Sequence, residues 1–232
     1  MKPLLQHIFS ILLLSLLCQV SFAQADVDED AGTATDTLVI EIDAGPSIFI
    51  DYGKLLTIPT DFETKFEAGL SFRFKNRLSP NIQVGMGKLE PGGAINNGTY
   101  LSEGWYGRIG INYLMPIDNK SMLYAGAKYG MSMFDESGTY EIGSDLWDNY
   151  KDGFSYEGLQ ADWFEVILGS ETKLDNHWSI GGYISLRILN KRDKPSPVNT
   201  TLTPIDTYAI PGYGRAFDNT TPAVNVYIRF SL

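Results

Sequence analysis

Few side chains in this sequence are suited to acid–base or nucleophilic catalysis. The chain has two histidines, His7 and His177, and one cysteine, Cys18. Enzymes that transfer or hydrolyse acyl groups commonly place a histidine beside a serine or an acid, because imidazole exchanges a proton near neutral pH. His177 is the one histidine outside the apolar N-terminus, and it follows Asp175 and Asn176 in a turn-like sequence. We therefore predict no catalytic residue, no cofactor site and no metal site, and expect the protein not to be an enzyme.

Carboxylates are the remaining candidates for chemistry, and they are concentrated between residues 135 and 157. A single base, Lys151, lies among them. Carboxylate oxygens can hold a divalent cation such as calcium. Their spacing matches no calcium loop, so we interpret the segment as a solvated acidic surface. Its acidic residues are Asp135, Glu136, Glu141, Asp145, Asp148, Asp152 and Glu157.

The first 23 residues have the pattern of a secretory signal peptide. A lysine precedes an apolar run over residues 4–17, and small residues come before the expected boundary. This run is shorter than the roughly 20 residues that a transmembrane helix needs. We predict cleavage between Ala23 and Gln24. The leucine that precedes Cys18 argues against lipoprotein processing, so this cysteine is expected to be removed with the signal peptide.

The rest of the chain divides into a short polar segment and one domain. Residues 24–36 are acidic and small and contain no aromatic side chain, so we predict that they are flexible. Residues 37–232 are predicted to form the domain. The formal net charge of the chain is −10, which makes nucleic acid a poor partner. After residue 23 no apolar stretch is long enough for a transmembrane helix, so a membrane protein of this sequence would have to cross with strands.

Alternation of apolar and polar residues recurs along the domain and predicts β-strands with two different faces. Between residues 62 and 74 the apolar residues fall on even positions and the charged residues on odd positions. The segment 224–232 repeats the pattern. Several segments reach the roughly 9 to 11 residues that a tilted strand needs to cross a membrane. We predict eight strands, near residues 37–52, 62–75, 80–90, 99–115, 121–135, 159–174, 177–191 and 222–232.

Short and long connections alternate between these strands. The short ones, near residues 76–79, 116–120 and 175–176, are rich in Asn, Asp or Pro, as tight turns are. The long ones lie near residues 53–61, 91–98, 136–158 and 192–221. Outer-membrane barrels have short periplasmic turns and long extracellular loops. The sequence therefore predicts an all-β fold, an eight-stranded antiparallel up-and-down transmembrane β-barrel with its apolar face in lipid. For the last long connection two interpretations stay open, a recognition surface and a lid folded over the barrel mouth.

The charged residues on the alternate strand faces are predicted to line the barrel interior. Both signs are represented, so acids and bases could pair there, as the burial of charge requires. An eight-stranded barrel is only wide enough for its side chains to fill, so we favour a structural network over a conducting pore. The residues predicted to form this interior network are Glu41, Asp43, Lys65, Glu67, Arg73, Arg108, Lys128, Glu165, Glu171, Arg187 and Arg229.

Aromatic residues gather near both ends of the predicted strands, as expected for two belts at the membrane interfaces. The turn-side group is Phe72, Phe74, Tyr113, Trp178 and Phe230, and the loop-side group is Tyr52, Phe62, Tyr100, Trp105 and Phe164.

Four local motifs resemble a known family. The sequence is similar to an uncharacterised group of β-barrel proteins from bacteria of the Bacteroidota phylum and, more loosely, to the small barrels of the OmpX and OmpA type. The resemblance covers most of the mature chain and implies an outer-membrane barrel, but it implies no activity. The motifs are Trp105-Tyr106-Gly107-Arg108-Ile109-Gly110, Tyr124-Ala125-Gly126-Ala127-Lys128-Tyr129-Gly130 with Ser132 and Phe134, Trp163-Phe164-Glu165, and Pro211-Gly212-Tyr213-Gly214.

The function expected from the sequence is that of a non-enzymatic integral outer-membrane protein with a structural role or with surface loops that bind a ligand. Its termini would lie in the periplasm and its long loops outside the cell. We expect a monomer that contacts outer-membrane lipid and lipopolysaccharide and is inserted by the outer-membrane assembly machinery. The alternatives are a soluble periplasmic β-barrel that binds an apolar ligand and, less favoured, a lipid-modifying enzyme of the outer membrane. The sequence does not identify the external ligand.

Overall fold

The computed structural model describes residues 44–55, 63–143, 148–194, 206–216 and 219–232, which all belong to one unit, Ile40–Leu232. The predicted signal peptide with its cleavage site at Ala23 and Gln24, the acidic segment 24–36, and the predicted interior residues Glu41 and Asp43 lie outside the described residues.

Strands make up almost all of the regular structure in the described ranges, with one short helix, α1 (Tyr52–Leu55). In chain order the strands are β1 (Gly45–Ile50), β2 (Glu63–Arg73), β3 (Leu78–Leu89), β4 (Gly98–Pro116), β5 (Ser121–Ile142), β6 (Tyr150–Lys173), β7 (Trp178–Arg192), β8 (Ala209–Ile210), β9 (Gly214–Arg215) and β10 (Thr220–Ser231).

Eight of these strands form a single antiparallel sheet in which each strand pairs with its neighbour in the chain. β10 pairs with β7 on one side and with β1 on the other, for example through Phe230 and Ile48, so the ladder closes on itself as a barrel. β8 and β9 form a separate two-stranded hairpin. The prediction of an all-β fold with eight antiparallel strands is confirmed.

The alternation that predicts the strands is also the alternation of the two barrel faces. On β3, Ile82, Val84 and Met86 point outward and are exposed, whereas Asn81 and Gln83 point inward and are buried. Successive side chains of a strand leave on opposite faces, so one register separates the two sets along the whole strand. The barrel therefore has an apolar outside and a polar inside.

β5 and β6 are longer than predicted, and the predicted loop over residues 136–158 is wrong. The two strands continue as a paired hairpin from Glu136 opposite Tyr156 to Ile142 opposite Tyr150. A register shift after Phe134 marks the place where this extension begins. The alternation continues there, but acidic residues on both faces hide it from a reading based on hydrophobicity.

The two ends of the barrel differ in their connections. The turns over residues 74–77, 117–120 and 174–177 are short, whereas the connections at the other end are longer. In the turn between β4 and β5, Asp118 Oδ1 accepts hydrogen bonds of 2.6 Å from the backbone N–H groups of Lys120 and Ser121. These bonds lower the pKa of Asp118. The predicted alternation of short and long connections is confirmed, and His177 lies at the short-turn end, as expected.

The predicted aromatic groups mostly face outward. Phe72, Phe74, Tyr113 and Trp178 are exposed near the turn end. At the loop end Trp105 and Phe164 are exposed, but Tyr100 is not, and its prediction as a belt residue is wrong. Tyr100 has the parity of the inward positions of β4, and its hydroxyl bonds inside the barrel. Phe62 lies outside the described residues.

Candidate functional site

The barrel interior brings together most of the charged residues that the sequence places on the inner strand faces. Lys65 is half-buried, and the other described members of the predicted set are buried. The buried members are Glu67, Arg73, Arg108, Lys128, Glu165, Glu171, Arg187 and Arg229. Seven of them form two ionic networks at different heights in the barrel, and Lys128 donates a hydrogen bond of 3.2 Å to Gln83 Oε1.

The first network, at the end with the short turns, is centred on Glu171 of β6. Its carboxylate pairs with Arg73 and, at 2.9 Å, with Arg229 Nε. It also accepts hydrogen bonds from Ser179 Oγ at 2.6 Å and from the Tyr227 hydroxyl at 2.8 Å. A buried carboxylate is tolerated when its oxygen lone pairs are satisfied in this way.

The second network, at mid-barrel, joins four charged side chains across the lumen. Arg108 NH1 lies 2.5 Å from Glu67 Oε2, and Arg108 Nε lies 2.9 Å from Glu165 Oε1. Arg187 Nε lies 3.2 Å from the same Glu165 oxygen. Glu67 and Glu165 belong to β2 and β6, which stand opposite each other in an eight-stranded ring. This central network therefore ties opposite walls of the barrel together.

The buried charges are balanced. Of the ten charged side chains that are buried in the described part of the chain, five are acidic and five are basic. Uncompensated charge in a protein interior costs several kcal/mol, about 3–5 when one partner of a buried pair is removed. Seven of the ten are joined in ion pairs, and this arrangement suits a structural core better than a conduction path.

The hairpin of β8 and β9 closes the loop-side end of this interior. We call residues 206–216 the plug. Ile210 and Tyr213 of the plug have no exposed surface, and Thr207, Ala209 and Ala216 are also buried. For this part of the last long connection, the interpretation as a lid over the barrel mouth therefore applies. The interpretation as a freely exposed recognition surface does not.

Two arginines of the interior hold the tip of the plug. Arg108 donates through NH2 to the carbonyl oxygen of Gly212 at 2.6 Å, and Arg187 donates through NH1 to that of Tyr213 at 2.8 Å. The Tyr213 ring stands edge-on to Trp163 with the ring centres 5.7 Å apart. Because Arg108 and Arg187 also belong to the central network, plug and network form one bonded unit.

One protein family matches nearly the whole chain. A family model described as Domain of unknown function (DUF6048) matches residues 4–230. The chain belongs to the DUF6048 family. No curated protein matches it. The resemblance to an uncharacterised family is confirmed at this level, while the bacterial phylum stays a prediction.

Two buried acids of this DUF6048 chain are missing from the interior set predicted from sequence. Asp51 accepts a hydrogen bond of 2.9 Å from Asn225 Nδ2, and Glu136 bonds to Tyr100 and Thr207. Glu136 has the parity of the inward positions of β5, and Asp51, directly after the end of β1, continues the inward parity of that strand, so the period of two carried the signal. Glu136 was missed because the strand was predicted to end at residue 135.

The DUF6048 chain also has a cleft of about 620 Å³ lined by the start of β4 and by the β5–β6 extension. Among the described residues no group of three or more His, Cys, Asp or Glu side chains could hold a metal ion. The acidic side chains of the extension instead make local contacts, such as Glu141 with Lys151 at 3.1 Å.

Gly212→Ala in the plug of this DUF6048 protein is expected to weaken the closed mouth by about 1–3 kcal/mol. Gly212 has φ +82°, and a Cβ there would lie 2.5 Å from the Tyr106 ring. Gly93→Ala is the matched control, since Gly93 has φ +83° but open space around it. Amide hydrogen exchange of residues 206–216 measures the effect. Equal loss of protection in the plug for both variants would contradict the close fit against Tyr106.

Proposed function

We propose that this chain is a non-enzymatic integral outer-membrane protein whose barrel lies in lipid, with its termini in the periplasm and its long connections outside the cell. It would be a monomer, inserted by the outer-membrane assembly machinery and surrounded by outer-membrane lipid and lipopolysaccharide. Nucleic acid is not expected as a partner. The role we favour is structural, with the loop-side end available to an external ligand.

The observation that carries this proposal is the apolar outer surface of the barrel. Every one of the eight strands exposes a large apolar side chain near its middle, with 42–60% of its surface accessible. Monomeric soluble proteins rarely expose a continuous apolar surface of this kind, whereas a transmembrane barrel requires one. The mid-strand residues are Ile48, Leu70, Val84, Ile109, Met131, Val166, Ile184 and Val224.

The borders of this apolar belt support the same proposal. On β4 the exposed large apolar side chains run from Trp105 to Tyr113, a length of nine residues, close to the 9 to 11 that a tilted transmembrane strand needs. The next outward residue of β4 beyond Trp105 is Glu103, and it lies directly opposite Asp135 of β5, so both strands carry a charged residue at this height. Charged side chains at this height would lie at the level of the lipid headgroups. In the described ranges, no helix has the length and apolarity to cross a membrane.

The interior favours this role over the alternatives. A soluble barrel that binds an apolar ligand needs an apolar cavity. Here the inward positions carry ion pairs such as that of Arg108 with Glu67. A lipid-modifying enzyme needs a proton-transfer group at the loop-side rim. His177, the histidine of the described residues, lies at the opposite end and faces the carbonyl oxygen of Ser231 at 3.1 Å.

Location and orientation can be tested together with single cysteines on intact cells. Gly92 and Asn119 are both exposed, one in a long connection and the other in a short turn. A membrane-impermeant maleimide is expected to label Gly92→Cys on intact cells and Asn119→Cys only after the outer membrane is permeabilised. Extraction of the protein should require detergent, and its gel migration should change on heating. Release of the protein into the soluble periplasmic fraction would overturn the proposal.

A further inference from the structure

We propose that the plug is a detachable gate whose closure depends on protonation of Glu136, so that the loop-side mouth is closed at acidic pH and opens more readily as pH rises. This inference goes beyond the proposed function and does not depend on membrane insertion. It rests on how the carboxyl group of Glu136 is bonded and enclosed.

Glu136 links the barrel wall directly to the plug. It lies on β5 three residues after the exposed Met133, beyond the outward-facing Asp135, and only 1% of its surface is exposed. Its Oε1 accepts a hydrogen bond of 2.6 Å from the Tyr100 hydroxyl of β4. Its Oε2 accepts one of 3.3 Å from Thr207 Oγ1 of the plug. The two carboxyl oxygens thus connect the wall and the gate.

Tyr100 makes a second connection between the same two parts. Its hydroxyl oxygen accepts hydrogen bonds from the backbone N–H groups of Tyr208, at 3.0 Å, and Ala209, at 3.2 Å. The hydroxyl proton is donated to Glu136, so the tyrosine and the acid act together in holding the first strand of the hairpin.

No direct ion pair of Glu136 exists in the described part of the chain, in contrast to Glu165 and Glu171. Arg192 of β7 acts on it by its charge, but the guanidinium donates to the carbonyl oxygens of Thr207, at 3.3 Å, and Ala216, at 3.1 Å. Among the described residues, the other polar side chains that bond to Glu136 or lie in register with it are neutral.

These neutral groups come from three elements around the carboxyl. Ser102 and Tyr100 lie on β4, with Ser102 in register with Glu136, and Tyr156 lies opposite on β6. Thr207 and Tyr208 lie on the plug. Ser102 Oγ has no hydrogen-bond partner among the described residues. The enclosure therefore offers Glu136 hydrogen bonds but little opposite charge.

Burial raises the pKa of Glu136 from its ordinary value of 4.5 to about 7. When the plug leaves, water reaches the carboxyl group and its pKa returns toward 4.5. The closed state then binds its proton more tightly than the open state, and low pH favours closure. Between pH 4.5 and 7 the ratio of open to closed molecules rises by up to tenfold per pH unit. Below and above this range the ratio is flat, and the whole change is up to about 300-fold.

Hydrogen exchange followed by mass spectrometry tests the gate on the full chain, because it detects openings that are rare at equilibrium. The measured quantity is the protection of residues 206–216, corrected for the intrinsic pH dependence of exchange. In the natural protein, protection of the plug should fall by up to about 300-fold from pH 4.5 to 7 while the mid-barrel strands stay protected. In Glu136→Gln, which imitates the protonated acid, plug protection should not change with pH.

Two further variants make the result decisive. Glu157→Gln, at an exposed position of β6, should behave as the natural protein. Tyr100→Phe removes the acceptor for two plug amides and should lower plug protection at every pH, which shows that the measurement reports the gate. The proposal is overturned if plug protection in the natural protein has no pH dependence, or if Glu136→Gln keeps the same dependence. It is also overturned if strands and plug lose protection together.

Discussion

Replacing Glu165 by alanine is expected to lower the free energy of unfolding by about 3–5 kcal/mol. This carboxylate lies 2.9 Å from Arg108 Nε and 3.2 Å from Arg187 Nε, and it accepts a hydrogen bond of 2.7 Å from Trp163 Nε1. Without it, two buried guanidinium groups are left with one carboxylate, that of Glu67, at mid-barrel. Denaturant unfolding of the refolded protein, followed by tryptophan fluorescence, measures the loss.

The control for this prediction separates buried charge from general sensitivity to mutation. Glu157→Ala removes an exposed carboxylate of the same strand and should change stability by less than about 0.5 kcal/mol. The double variant Glu165→Leu with Arg187→Met removes one charge of each sign and should be more stable than Glu165→Ala, because no unpaired charge is left behind. If the double variant lost as much as the sum of its single variants, the balance of charges would not be the cause.

Val84→Arg is expected to destabilise the barrel by about 2–4 kcal/mol in lipid vesicles, the cost of a cation on the lipid face at the bilayer midplane. Val84 is 58% exposed at the middle of β3, between Ala68 of β2 and Gly107 of β4. In water the same change would be harmless, so the prediction depends on lipid around the barrel. Equilibrium unfolding from phospholipid vesicles is the measurement.

Ser155→Arg provides the matched comparison for Val84→Arg. Ser155 is also an exposed strand residue, but it lies on the β5–β6 extension beyond the apolar belt. An arginine there should cost no more than about 1 kcal/mol, because cost falls toward the interface. Equal and small costs for both variants would contradict a lipid-facing barrel surface.

The strands and their faces could be predicted from the sequence because the period of two is a local property. Val84 and Gln83 are assigned to opposite faces by parity alone, and the structure agrees. The same parity would have placed Glu136 inside, had the strand been extended past residue 135. The error came from the acidic side chains of the extension, which lower its hydrophobicity without breaking its alternation.

The partners within the interior could not be predicted, because they depend on register between strands that are far apart in the chain. Glu67 pairs with Arg108, 41 residues away, and Glu171 pairs with Arg73, 98 residues away. The plug presented a different difficulty. Its Pro-Gly-Tyr tip has the composition of an exposed turn, but the arginine donors beneath it and the contact with Trp163 hold Tyr213 in a buried position.

Closure of the barrel has a consequence for the way the chain must fold. The seam between the first and last strands joins Ser47 to Ser231, two residues separated by almost the whole domain, through four registered pairs in the described residues. By contrast, β5 and β6 share a long ladder within one continuous stretch of chain. Loop-closure entropy opposes the seam most strongly and the local ladders least. The hairpins between neighbouring strands are therefore expected to form first, and the pairing of the first and last strands is expected to form last. This seam is then the pair of strands that we expect to separate most readily.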